Sequence, residues 1–300
     1  MATLLTILGL ALFEIINSID NAVINAEVLT SVGAKARRWF LFWGLLFGVF
    51  VVRGILPWLI LWLSTSLGPW EAFKASWGSD PVTAAAILAS KPILLVGGGI
   101  FLFLLFLHWL FLEQKNFGLY GERFIQKHGI WFYAVSSVFL TTIVWFSIHQ
   151  DPMLAFGAMI GSSAFFLVHG FKENAEKLES SMLSDKKGMS DIAKIAYLEL
   201  IDACFSIDGV LGAFAFTLSI PLILIGNGIG AIVVRQITVS NIEHVKKYAF
   251  LKNGAMYSIC VLSFVMIGDA FGVHIPQWFS PVVTFVVVGY FYVKSLRLMK

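Results

Sequence analysis

Leu10-Ala11-Leu12-Phe13-Glu14-Ile15-Ile16-Asn17-Ser18-Ile19-Asp20-Asn21-Ala22 places two carboxylates inside an otherwise apolar run that extends over residues 3–29. An acid at the centre of a bilayer costs about 2.5–3.5 kcal/mol on insertion scales, so it must be neutralised, ion-bound or water-lined. The arrangement recurs. Ser18-Ile19-Asp20-Asn21 returns as Ser206-Ile207-Asp208-Gly209, with Glu14 and Asp202 the same distance upstream of the aspartate, and Glu199 adds a further acid to the second run. Gly44, Gly48, Val51, Val52 and Arg53 are matched at identical spacing by Gly226, Gly230, Val233, Val234 and Arg235. Two matches in the same order predict an internal duplication.

Composition sets the solvent. Of 300 residues, 58% are hydrophobic and 13% charged, with 28 Phe and 10 Trp, and the mean hydropathy is +0.84. A soluble domain carries roughly a quarter charged residues, so the surroundings are lipid. The fold class expected is an all-α polytopic bundle of about nine spans, near 3–29, 39–63, 86–112, 129–148, 153–170, 192–218, 221–239, 249–270 and 279–296. The first run has no basic leader and contains Glu14 and Asp20, which predicts a retained span rather than a cleaved signal. Residues 64–85, with Pro69, Gly78, Ser79 and Pro81, read as a loop outside the membrane. Residues 171–191, with Lys172, Glu173, Glu176, Lys177 and Glu179, read as a solvated cytoplasmic connection between an N-terminal half (1–170) and a C-terminal half (192–300).

Placing the N-terminus outside puts Lys35, Arg37, Arg38, Lys115, Arg123, Lys127, Lys172, Lys177, Lys186, Lys187, Lys246, Lys247, Lys294, Arg297 and Lys300 on the cytoplasmic side. Among loop cations only Lys74 falls outside. Spans one and six then enter from opposite faces, which predicts an inverted repeat with binding near the midplane.

The acids point to a cation. Glu14, Ser18, Asn21 and Asn25 share a helical face, whereas Asp20 lies off it; a break in each helix between its two acids would bring the carboxylates and freed carbonyls together. The resulting oxygen cage would suit Mn²⁺, Mg²⁺ or Ca²⁺ better than copper or zinc. The expected metal ligands are Glu14, Asp20, Asn21, Asp202 and Asp208, supported by Asn17, Ser18, Arg53, Glu199, Ser206 and Arg235. The rival reading pairs the acids with Arg53, Arg235 and Lys91 as a structural network. Gly44/Gly48, Gly226/Gly230 and Gly97-Gly98-Gly99 read as close-packing notches rather than phosphate loops, since no Lys-Ser/Thr follows the triple glycine.

Other chemistry lacks machinery. His108, His128, His149, His169, His244 and His274 have no partner at metal-ligand spacing, and no nucleophile elbow or nucleotide fingerprint is present. Cys204 and Cys260 lie in apolar runs and read as packing residues. The basic residues sit in short segments between spans, which argues against nucleic acid despite a net charge of +3.

The runs Phe13–Ala22 and Asp202–Val210, together with Gly226–Arg235, resemble the paired signatures of the TerC family of integral membrane proteins. That resemblance implies export of manganese or a related divalent ion across a bacterial plasma membrane. Its acidic positions fall on Glu14, Asp20, Asp202 and Asp208, with Asn21 beside the first pair. Where members often carry an acid and a histidine in a late span, this chain reads Lys252-Asn253-Gly254-Ala255-Met256-Tyr257.

The expectation is therefore a secondary transporter, not an enzyme, without a prosthetic group. Its partners are the divalent ion as cargo and the bilayer, and a homo-oligomer is left open. Calcium or another cation, a channel route, a factor delivering metal to partner proteins, and an intramembrane enzyme using Asp20 and Asp208 as a dyad are the rivals. Topology is testable directly. In a chain lacking Cys204 and Cys260, a membrane-impermeant thiol reagent should label Ser76→Cys from outside and Ser184→Cys only once the membrane is opened; labelling of both from one side would overturn the orientation.

Overall fold

The computed structural model describes residues 2–30, 32–44, 47–65, 67–77, 81–115, 118–184, 190–240 and 247–298, and for some of these, including Asp20, Asn21, Glu27 and Cys204, the backbone alone. Among the described residues the regular structure is helical. In chain order it comprises α1 (Ala2–Asn17), α2 (Ile19–Thr30) and α3 (Ala34–Trp39), then two π-helical stretches, Phe40–Gly44 and Phe47–Val52. There follow α4 (Arg53–Ser64), α5 (Pro69–Trp77), α6 (Pro81–Phe111), α7 (Tyr120–Lys127) and α8 (Trp131–Gln150). The remainder is α9 (Pro152–Ser184), α10 (Asp191–Ala213), α11 (Ile220–Ser240), α12 (Leu251–Ala270) and α13 (Phe279–Leu298).

Local signals explain several starts. Proline opens α5, α6 and α9, where its missing N–H is not needed by the helix. Before α9 the Asp151 carboxylate accepts from Met153 N at 2.9 Å, and before α10 Ser190 Oγ accepts from Ala193 N at 3.3 Å.

Nine apolar segments were expected to span; among the described residues six helices are long and apolar enough to do so, within 88–111, 131–150, 152–174, 220–238, 251–270 and 279–298. The reasons are local. The first segment is divided at Ser18, leaving a 16-residue α1, and the second is divided by the π-helical turns, leaving a 12-residue α4. α10 is long enough at 23 residues, but it carries Asp191, Lys194, Glu199, Asp202 and Asp208. The break expected between the acids is slight in the first run, where helical bonds flank the turn: Ser18 N to Glu14 O at 3.0 Å and Ala22 N to Ser18 O at 2.9 Å. It is not found in the second, where α10 passes from Asp202 to Asp208 without interruption.

Two further expectations change. The loop region 64–85 contains α5 and the start of α6. The connection 171–191 begins as a continuation of α9 to Ser184, and Lys172 on it is buried rather than solvated.

The interior is built on α6, whose Val96, Ile100 and Leu102 are fully buried. It crosses α9 and α12 at glycines. A Cβ on Gly97 would stand 2.9 Å from Gly157 O, one on Gly99 3.0 Å from Ser263 O, and one on Gly161 would collide with Gly97 O. α1 crosses α11 in the same way, with Gly226 against Leu10 and Ile7 O and Gly230 against Ala11 O. Without a hydrophobic drive between helices in lipid, such close backbone approach supplies the packing energy. The outward faces are apolar: Val138 is 68% exposed, Trp145 63%, Leu167 64% and Val286 65%. Exposed apolar side chains in such number are what a bilayer covers.

Gly161→Ala should destabilise the protein by about 1–3 kcal/mol through overpacking against backbone that cannot yield. Gly170→Ala on the same helix, with nothing within 4 Å of the added methyl, is the control. Thermal unfolding in detergent should show a lower midpoint for the first variant only; equal midpoints would contradict the crossing.

Candidate carboxylate–arginine centre

Three carboxylates and two guanidiniums gather where α1, the second π-helical stretch, α10 and α11 converge. Two of the carboxylates and both guanidiniums border a cavity of roughly 30 Å³ whose walls include Glu14, Ser18, Asn25, Arg53, Asp202 and Arg235. That is room for a water molecule or a bare cation.

Glu14 is 1% exposed. Its Oε1 accepts from Arg53 Nε at 3.0 Å, Arg53 Nη2 at 2.5 Å and Ser18 Oγ at 2.8 Å. Its Oε2 has no hydrogen-bond partner among the described residues. That oxygen faces α10, and a Cβ on Gly209 would sit 2.8 Å from it. The glycine that stands in for Asn21 in the second copy of the motif is thus what lets α10 close over Glu14.

Arg53 is shared. While Nε and Nη2 hold Glu14, Nη1 lies 3.8 Å from Asp202 Oδ2 and donates to Gly48 O at 3.1 Å. The π-helical turns position this: they widen the backbone ahead of Arg53 and leave Gly48 against Asp202, where a Cβ would be 2.9 Å from Oδ2. The second arginine is arranged differently. Arg235 Nη2 donates to Phe40 O at 2.8 Å, its guanidinium carbon stands 4.1 Å above the Phe40 ring, and Glu199 Oε1 is 4.0 Å away. The repeated glycines therefore face the acids of the opposite half: Gly48 meets Asp202, and Gly230 meets Glu14.

The expected ligands come together only in part. Glu14 and Asp202 meet, bridged by Arg53. Asp208 is drawn away to Lys172 in a buried ion pair, leaving its Oδ1 without a hydrogen-bond partner among the described residues. The side chains of Asp20 and Asn21 lie outside the described residues. Ser206 Oγ turns back onto Asp202 O at 2.7 Å rather than toward the cavity. Asn17 is half-buried beside Gly209, with Nδ2 3.7 Å from the position of an added Cβ. Among the described residues, no three of His, Cys, Asp and Glu form a group able to hold a metal ion. In this arrangement the Arg53 guanidinium is a counter-charge to both Glu14 and Asp202. Lys91, expected to join that network, instead pairs with Asp269 at 2.7 Å.

Three features escaped sequence reasoning. Lys172 sits one turn beyond His169 on α9, and its burial follows from helix phase rather than from the charge-rich segment around it. His108 and His169, far apart in sequence, bring their rings to 3.8 Å between centroids. Asn253 donates to both oxygens of buried Glu122 on α7, at 3.0 and 2.8 Å.

A family model described as "Protein of unknown function (DUF475)" matches residues 19–300, and the chain belongs to that family. It is also similar to a Bacillus subtilis (strain 168) protein described as "Uncharacterized membrane protein YceF", at 31% identity over 85 residues, 28% of this chain and 33% of that protein. The match thus spans about a third of the relative's length. No solved structure matches. With the apolar helices, these findings make the chain a multi-pass membrane protein of an uncharacterised family; the matched family is DUF475, where the motifs had suggested TerC.

Removing one partner of a buried ion pair costs about 3–5 kcal/mol because the other charge is stranded. Arg53→Met should therefore destabilise by about that amount, and adding Glu14→Gln should recover much of the loss. Unfolding in mixed micelles reads both; strictly additive losses would show that the two side chains do not share an interaction.

Proposed function

We propose that this DUF475 member is a secondary transporter of a hard divalent cation, Mn²⁺ first, carried out of the cytoplasm. The observation that carries the reading is Arg53, buried between Glu14 and Asp202 at the edge of a cation-sized cavity. Two carboxylates, Glu14 and Asp202, line that cavity, and withdrawal of the Arg53 guanidinium between them would leave a negative pair that a low-dielectric interior does not tolerate without a further cation or proton. The oxygens at hand are carboxylate, amide and hydroxyl, from Glu14, Asp202, Asn25, Ser18 and Thr238. Such a set suits a hard ion; among the described residues no thiolate or imidazole, which favour zinc and copper, lines the cavity.

The cycle we infer is an exchange of counter-charges. An incoming cation takes Glu14 and Asp202, and Arg53 withdraws toward Gly48 O, which it already contacts. When the cation leaves, the guanidinium returns, so the emptied site is not left as bare carboxylate. Asp208 stays on Lys172 in the arginine-held state. Contacts between Gly48 and Asp202 and between Gly230 and Glu14 support two halves, 1–170 and 192–300, that exchange access across a shared interface. The resemblance to TerC proteins points the same way.

The same ion pairs also support a static reading, in which the centre only holds helices together in a membrane factor that delivers metal to partners. Flux separates the two. In proteoliposomes the wild type should move Mn²⁺ down an imposed gradient, and Asp202→Asn should reduce that flux by at least about tenfold while its unfolding midpoint stays near wild type. Absence of flux for Mn²⁺, Ca²⁺ and Mg²⁺ from correctly folded wild type would favour the static network; equal flux in Asp202→Asn would remove Asp202 from the path.

A further inference from the structure

Away from the carboxylate centre, a groove of roughly 580 Å³ runs between α3 and the first turns of α10. Its walls are Trp39, Ile192 and Ile195 with the small residues Ala36 and Ala196, and its polar groups are Lys35, Asp191 and Glu199. Asp191 and Lys35 stand at the starts of the two helices, which are tied there by Gly33 N donating to Asp191 Oδ2 at 3.0 Å. Glu199 lies two turns along α10, about 12 Å away at the helical rise. The groove is thus an apolar slot with charge at both ends. Behind it, Phe40, Ile195 and Leu198 form a closed cluster with Val28, Leu29 and Val32.

The mouth is basic. Lys35, Arg37 and Arg38 are exposed. Arg37 is occupied, donating through Nε and Nη2 to Leu29 O at 3.0 and 2.7 Å. Lys35 and Arg38 make no ion pair among the described residues. Beside them Trp39 is 51% exposed and Ile192 80%, an aromatic and an aliphatic side chain at the point where the cations begin. A tryptophan next to unpaired cations is the composition of a membrane interface, where the ring lies at headgroup depth and the cations meet phosphate.

We propose that this groove holds an anionic phospholipid, with one acyl chain along Ile192 and Ile195 and the headgroup phosphate on Lys35 and Arg38. Charge complementarity selects the anionic class: a zwitterionic headgroup carries its own cation to a site that already has two, whereas phosphatidylglycerol presents a net negative charge. The slot, about 12 Å long at the helical rise, suits part of one acyl chain. Occupancy reaches the centre through one step. The far end of the groove is Glu199, its neighbour is Arg235 at 4.0 Å, and Arg235 lines the central cavity. A bound chain therefore holds α10 against α3 where α10 carries its acids.

The inference stands apart from whatever ion the centre carries, and its test reads binding, not flux. Purified protein in nanodiscs of phosphatidylcholine with a minor fraction of phosphatidylglycerol is released into detergent and weighed by native mass spectrometry. Wild type should retain phosphatidylglycerol in preference to phosphatidylcholine. Lys35→Gln with Arg38→Gln should lower that retention on the order of tenfold, since each basic residue near an anionic surface contributes several-fold. Ala196→Phe, which fills the slot from an exposed position, should lower it as well. Equal retention of both lipids by wild type, or retention unchanged in the double variant, would overturn the site. Retention lost with the cations but kept in Ala196→Phe would leave a surface headgroup contact and overturn the groove.

Discussion

The guanidinium of Arg53, buried between Glu14 and Asp202, is the interaction on which the centre of this molecule depends. A carboxylate in the apolar interior needs a counter-charge within hydrogen-bonding reach, and Glu14 obtains one through two of the three donor nitrogens of a single arginine. The surrounding backbone is shaped around that requirement. π-helical turns widen the chain before Arg53 and offer Gly48 O to its third nitrogen. Gly48, Gly209 and Gly230 lack side chains where a methyl group would strike Asp202 or Glu14. A salt bridge of this depth is weak evidence for stability in itself, since well-packed apolar residues can replace such pairs without loss. Its placement beside a small polar cavity is what makes it a candidate working part.

Much of this was legible in the chain. Each of the nine apolar segments contains helix, because apolar runs in lipid can satisfy their backbone in no other local way. The duplicated acids and arginines were legible too, and Glu14, Asp202, Arg53 and Arg235 line one cavity. What the pattern could not convey was which charge would find which. Arg53 and Asp202 are distant in sequence, and Lys172 could be paired with Asp208 only by knowing the rotation of α9. The π-helical turns have no composition signal of their own in Phe40–Val52. They shorten what hydropathy reads as a full span, the turn at Ser18 divides the first segment, and the charges of α10 exclude it on apolarity, which is how nine segments reduce to six among the described residues.

A family of uncharacterised membrane proteins leaves function to the site. The proposed exchange of counter-charges starts from the arginine already in place: under it the same two carboxylates would be compensated in both states, by guanidinium in one and by metal in the other. Under the static alternative the arginine never leaves, and the cavity is a packing defect filled by water. The two accounts share every distance in the arginine-held state and differ in what happens when cation is supplied.

Magic-angle-spinning NMR of protein in liposomes, with side-chain carboxyl carbons of Glu and Asp labelled by ¹³C, addresses that difference directly. Paramagnetic Mn²⁺ broadens the resonances of nuclei within a few ångströms. The account predicts that one equivalent of Mn²⁺ removes the carboxyl signals of Glu14 and Asp202 together, while those of Glu122 and Asp269 persist. Signals of Glu14 and Asp202 that survive while exposed carboxylates broaden would contradict it.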